Sequence, residues 1–282
     1  MTVSMSAFHG RPELKQRLLD SIDGLIGHGH IQGQRNAKPL TSLMSTDCEA
    51  FSEFYGLPLS LVMLLDSMPV YAGDEVAIAA WRDLVVAIRP GADLNPALHG
   101  YLLMMMASPR DDIDPSDIQG RLSKLHQRLF AGEVVPRAEW ASLRKELVAL
   151  SEEKLPPGDR RKLQYSVWEA AAWPLSNSPS MLVQMFRNWG LLSELEPDPE
   201  WSDADEARKD KVLSEIWEEQ APARTAGKLP EYPALFRARE PDLAGRFEAH
   251  LARANAGVRA RWGEAIKYLA MLFRENATAG EA

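Results

Sequence analysis

Cysteine is nearly absent from this chain: Cys48 is the only one in 282 residues. That excludes an intrachain disulfide and a zinc site built from several cysteines of one chain, and it fits a reducing compartment. Long apolar runs are missing as well. The longest, Leu57–Leu65 and Tyr101–Ala107, fall far short of the ~20 residues a helix needs to cross a bilayer. Met1–Gly10 lacks the basic start and apolar stretch of a secretory leader. There is no excess of positive charge: 32 Lys and Arg stand against 40 Asp and Glu, a net of -8. Sequence-independent nucleic-acid binding needs a basic surface to displace phosphate counterions. Glycine-rich phosphate loops and a nucleophile elbow are also missing. The composition reads as a cytoplasmic protein with no membrane span and no nucleic-acid partner.

What is present is apolar spacing of helical period from Leu14 to Phe273, punctuated by Pro and Gly. The pattern predicts an all-α fold, an irregular multi-helix bundle of about ten helices. Leu14, Leu18, Leu19, Ile22, Leu25 and Ile26 mark a first helix ending near Gly27, followed by a loop from His28 to Leu43. Thr46 or Asp47 caps a short second helix ended at Gly56, and Pro58 opens a third. Further helices are expected over 74–88, 95–106, 111–131, 136–155, 159–173 and 181–192. From Glu194 to Asp210 acidic residues and two prolines predict a solvated connection, then a short helix at Val212–Trp217. The last two helices are expected at Ala234–Ala252 and Ala256–Arg274. With 45% hydrophobic residues the chain can bury one large core or two smaller ones. The expected division is an N-terminal helical region, 1–110, packed against a C-terminal one, 111–282, as one body.

Three short segments carry a resemblance: His9-Gly10 with Leu14-Lys15, then Glu53-Phe54-Tyr55-Gly56-Leu57-Pro58 with Asp66, then Ala87-Ile88-Arg89-Pro90-Gly91-Ala92-Asp93-Leu94. In this order they resemble an uncharacterised family of bacterial and phage-associated helical proteins, over about the first third of the chain. The resemblance implies no established activity. Relatives often place two cysteines in a glycine-rich segment after the first helix, where this chain has Lys38–Met44. Any cysteine-based metal or redox chemistry of that family is therefore absent or altered here.

Candidate chemistry is sparse. His9, His28 and His30 bracket the first helix and are candidate metal ligands if the loop folds back, with Asp47 or Glu49 supplying oxygen. Against this stands solvated or packing use of all three. Glu53, Asp66, Arg89 and Asp93 are candidates for a polar pocket around the Gly56-Pro58 junction, set against helix capping and ion pairing. Asp111-Asp112-Ile113-Asp114 lacks the glycine and further oxygens of a calcium loop and reads as a helix start. Cys48 lies between Asp47 and Glu49, which oppose thiolate formation. Trp81, Trp140, Trp168 and Trp262 belong to core stripes. Trp173, Trp189 and Trp201 sit beside chain breaks, where core closure is the expected use and a half-exposed partner surface the alternative. No cofactor is called for. The leading expectation is a protein-interaction or accessory protein without catalysis, able to self-associate through a tryptophan-bearing stripe. The alternative is an enzyme or ligand-binding protein with a metal or polar site in the N-terminal third.

Overall fold

A computed structural model of the chain describes residues 6–27, 40–44, 46–72, 74–107, 117–152, 159–228 and 230–278. Among them the fold is all-α, with thirteen α-helices and no strand. Two compact units are present, Met1–Leu192 with Arg259–Ala282, and Ser193–Val258. The boundary expected at residue 110 falls inside the first of them.

The first unit is built from α1 (Pro12–Gly27), α2 (Cys48–Tyr55), α3 (Leu59–Ala72), α4 (Asp74–Ala87), α5 (Asn95–Met106), α6 (Ile118–Phe130), α7 (Arg137–Ser151), α8 (Arg160–Ala171) and α9 (Met181–Leu191). The second holds α10 (Asp203–Glu219), α11 (Ala221–Thr225) and α12 (Tyr232–Arg239); α13 (Pro241–Thr278) supplies residues to both. Several starts use the acidic residues expected from the sequence. Asp47 accepts from the Ala50 amide at the start of α2, Asp159 from the Arg161 amide at α8, and Asp93 from the Asn95 amide at α5.

The core of the first unit centres on α3, whose Leu61, Val62, Leu64, Leu65 and Met68 are fully buried, flanked by α2, α4 and α9. Pro69 lies inside α3. Proline has no N–H, so the Leu65 carbonyl four residues earlier loses its helical donor. The buried Trp81 indole on α4 fills that position, donating Nε1–H to Leu65 O at 2.8 Å. Other carbonyls near helix ends are met in the same way by side chains from other helices. Trp168 donates to Met106 O at 2.9 Å, closing the end of α5. Lys15 donates to Val86 O and Ile88 O, both at 2.8 Å, closing the end of α4. Arg144 donates to Ala172 O at 2.7 Å just past the end of α8. Trp262 donates to Phe186 O at 3.0 Å, and its ring lies where a Cβ on Gly190 would stand.

Several sequence expectations differ from the structure in detail. The acidic stretch before Val212 is not a connection throughout, because α10 begins at Asp203. Ser202 and Asp205 form a reciprocal capping box, and Asp203, Asp205 and Glu206 lie at the positive end of the helix dipole. The final break falls at Glu240, before Pro241, where the residue preceding proline leaves the helical region; Asn255-Ala256-Gly257 continues within α13. Leu40–Leu43, read as loop, forms a 3-10 turn. The acidic run 111–114 and most of the 28–43 loop lie outside the described residues.

Candidate functional site

The segment Ala7–Gly10 is a short 3-10 turn with an unusual backbone: Phe8, His9 and Gly10 all have positive φ, at 54°, 49° and 71°. For a residue with a Cβ the left-handed region costs roughly 1–2 kcal/mol, so surrounding contacts must hold Phe8 and His9 there. Phe8 is fully buried and meets the Tyr55 ring edge-on at 6.3 Å. The His9 ring bonds the Glu53 carbonyl from Nε2 at 2.9 Å, which requires the Nε2–H tautomer. Gly56, left-handed at φ 62°, ends α2 against this turn, and a Cβ on it would stand 2.6 Å from Ser6 O. On the other side the Ala7 amide donates to Ala92 O at 3.0 Å and the Gly91 amide to Ala7 O at 2.7 Å. The Ser6–Asp93 bridge completes the clasp. The three motif segments, His9-Gly10, Glu53–Pro58 and Arg89–Leu94, therefore meet at one place.

Of the polar-pocket candidates, Glu53, Asp66 and Asp93 take separate partners. Glu53 is exposed and contributes its carbonyl to His9. The Asp93 carboxylate accepts from Asn95 N and Nδ2 at 3.0 and 2.8 Å, while its carbonyl accepts from Asn276 Nδ2. Arg89 is exposed beside Pro90. Asp66, on α3, accepts from the Thr41 amide and hydroxyl at 2.8 and 2.9 Å, tying the Leu40–Leu43 turn to the bundle. Its second oxygen accepts from Cys48 Sγ at 3.8 Å. Burial first, and then the Asp66 carboxylate, pushes the Cys48 thiol up to about 11, with Asp47 and Glu49 adding to it. That environment suppresses thiolate chemistry. Of the metal candidates, His9 is placed as above, whereas His28 and His30 lie outside the described residues. Among the described residues no group of three His, Cys, Asp or Glu is placed to hold a metal ion.

Exposed aromatic groups are more distinctive. Trp217, at the end of α10, is 54% exposed. The Arg224 guanidinium lies 3.7 Å from its ring centroid, and Tyr232 stacks on it at 5.4 Å and 26°. Arg224 is fixed by donating to the Trp217 carbonyl and to Tyr232 Oη. In the first unit Trp173, 41% exposed, carries Arg144 at 3.8 Å over its ring. Trp173 takes the half-exposed alternative instead of closing the core, and Trp201 is half-buried against Phe247 and His250. Trp189 is buried. Trp217 escaped the sequence reading because it sits inside a helical pattern rather than at a break. The available signal was the Arg and Tyr that follow at positions 224 and 232.

Around Trp201 the second unit has a dense ionic cluster. Asp198 accepts from Arg253 at 2.8 and 3.0 Å and pairs with His250 Nδ1 at 2.8 Å. These partners, Arg253 first, hold its carboxyl down at about 2. Residues 193–258 contain fifteen acidic and nine basic side chains, which accounts for six of the chain's eight net negative charges. Compared with described protein families, with curated proteins and with solved structures, the chain matches none.

Proposed function

We propose that this chain is a cytoplasmic helical protein-interaction or accessory protein without catalysis of its own. The observation that carries the reading is the Trp217–Arg224–Tyr232 stack on the second unit. Trp, Tyr and Arg are the residue types enriched at binding hot spots, where a well-packed anchor is worth about 2 kcal/mol or more. Here they are already ordered by their own stacking and hydrogen bonds, which lowers the entropy lost on docking. The half-exposed Trp173–Arg144 pair gives the first unit a smaller feature of the same chemistry. The resemblance of the first third to an uncharacterised bacterial and phage-associated family is likewise a proposal. It is supported by the meeting of its three motifs around Phe8, His9 and Gly10.

The test is affinity purification of the full chain from its source, wild type beside Trp217→Ala and Arg224→Ala. A protein recovered with the wild type and depleted about 30-fold in Trp217→Ala, the factor matching 2 kcal/mol, supports the reading. Equal recovery with all three chains, or recovery of nothing with any, overturns it.

A further inference from the structure

His99 on α5 and His126 on α6 face each other inside the first unit, their ring centroids 6.5 Å apart. His126 is buried and bonds the Ala171 carbonyl from Nε2 at 2.7 Å, so in its neutral form it closes the C-terminal end of α8 as an N–H donor. Arg144, from α7, closes the next carbonyl, Ala172 O. Trp140 of α7 meets the His126 ring edge-on at 4.9 Å. His99 stacks flat on Phe130, at 4.7 Å and 3°, and Phe130 is 51% exposed. His99 Nε2 is buried with no hydrogen-bond partner among the described residues.

The charged surroundings of the pair are one-sided. From α5 the titratable group acting on His126 is His99; α7 supplies the uncharged Trp140 and the Arg144 cation at the adjoining carbonyl; α8 supplies the Ala171 carbonyl. No carboxylate acts on either imidazole among the described residues. A second proton on His126 must therefore be carried in a buried place whose nearest titrating neighbour is another imidazole. The α8 carbonyl favours that cation, and burial, the largest effect, outweighs it. Burial likewise lowers His99.

We propose that His99 and His126 form an acid-operated latch, which in its neutral state binds α5, α6 and α7 to the end of α8 and on protonation releases α6 and α7. Opening exposes Trp140 and the covered face of Phe130, so acid uncovers an aromatic surface that the neutral protein hides.

The sign follows from linkage. His126 drops from 6.5 to about 4 in the folded chain, so its neutral form stabilises the closed state above 6.5, and this is lost as pH falls toward 4. Between pH 7.5 and 4 the opening equilibrium rises about 150-fold from His126 alone. Hydrogen exchange of the full chain, corrected for the intrinsic pH dependence of amide exchange, reads this over residues 118–151. His126→Gln keeps an N–H donor for Ala171 O and cannot be protonated. Wild-type opening that rises about 150-fold, against a rise below about fivefold in His126→Gln, is the expected result. Wild-type protection unchanged down to pH 4, or an equal rise in both chains, overturns the latch. Proton NMR of the wild-type His126 ring is the second reading, and requires no variant to fold: titration below 6.5 that runs together with the loss of protection supports the proposal, and titration with protection intact, whether near 4 or near 6.5, overturns it.

Discussion

Pro69 and Trp81 act as one unit in this fold, and their coupling can be measured. Pro69 deprives the Leu65 carbonyl of its i+4 donor, and the Trp81 indole on the next helix replaces it at 2.8 Å, with the ring 1% exposed. Trp81→Phe keeps an aromatic ring but removes the donor and part of the indole. An unsatisfied buried carbonyl costs about 1–3 kcal/mol, and the lost apolar area adds about 1 kcal/mol. The expected destabilisation is about 2–4 kcal/mol. Pro69→Ala returns a main-chain N–H to Leu65 O, so in that background Trp81→Phe leaves no orphaned carbonyl and costs only the packing share. A double-mutant cycle on the four chains, by urea unfolding monitored by far-UV circular dichroism, should give a coupling of about 1–3 kcal/mol. If Trp81→Phe costs the same in both backgrounds within about 0.5 kcal/mol, the indole is packing material and the carbonyl replacement is wrong.

Gly56→Ala combines a left-handed φ of 62° with a Cβ 2.6 Å from Ser6 O, whereas Gly132→Ala meets nothing within 4 Å at φ 82°. Thermal unfolding should show the former costing about 3 kcal/mol or more and the latter about 1–2 kcal/mol, the left-handed penalty alone; equal costs would show that the clasp around Ser6 and His9 yields. Asp66→Asn should bring the Cys48 thiol down from about 11 and accelerate its alkylation by iodoacetamide at pH 8.5 severalfold, more than Asp47→Asn does. An unchanged rate would remove Asp66 from the cause. In the second unit, Asp198 is held at about 2 by Arg253 and then His250, so its contribution is complete above the ordinary carboxylate value and lost as pH falls toward 2. Arg253→Ala should raise the Asp198 carboxyl, read by NMR titration, and move acid unfolding of residues 193–258 to higher pH; an unmoved carboxyl would refute the pairing.

Helix existence was legible because the information is local. The stripes carrying Trp81, Trp140, Trp168 and Trp262 did go inward, and Asp47, Asp93 and Asp159 did take amides at helix starts. The start of α10 was equally local, a Ser-x-x-Asp box at Ser202 and Asp205, yet the surrounding carboxylates suggested a solvated connection. Acidic density and a helix N-terminus share a composition, since the dipole favours Asp and Glu in the first turn. The cap separates the two readings.

The site was less legible because its contacts are made between distant helices. Nothing in the spacing of Phe8 and His9 announces left-handed backbone, as it would for glycine; the conformation follows from Tyr55, Gly56 and Ala92, some 45 to 85 residues away. The same holds for the polar tips of side chains that a periodicity reading assigns to stripes. Lys15, Trp81, His126, Arg144 and Trp168 each donate to a carbonyl on another helix or at its end. A stripe position determines only which way the side chain points, whereas its donor needs an orphaned acceptor, and those occur where a helix ends or contains proline. The position of Pro69 along the chain is enough to mark Leu65 O as needing a partner, while the identity of that partner, Trp81, depends on how α4 returns along α3. Among these donors His126 differs in kind. Lys15, Arg144 and the two indoles are not imidazoles, whereas His126 is, and burial lowers it to about 4, so that its donor to the Ala171 carbonyl is the neutral Nε2–H above that value. The end of α8 is thus the closure on which the proposed acid response acts, through the cost of a buried cation rather than through loss of the N–H, which both forms of His126 keep.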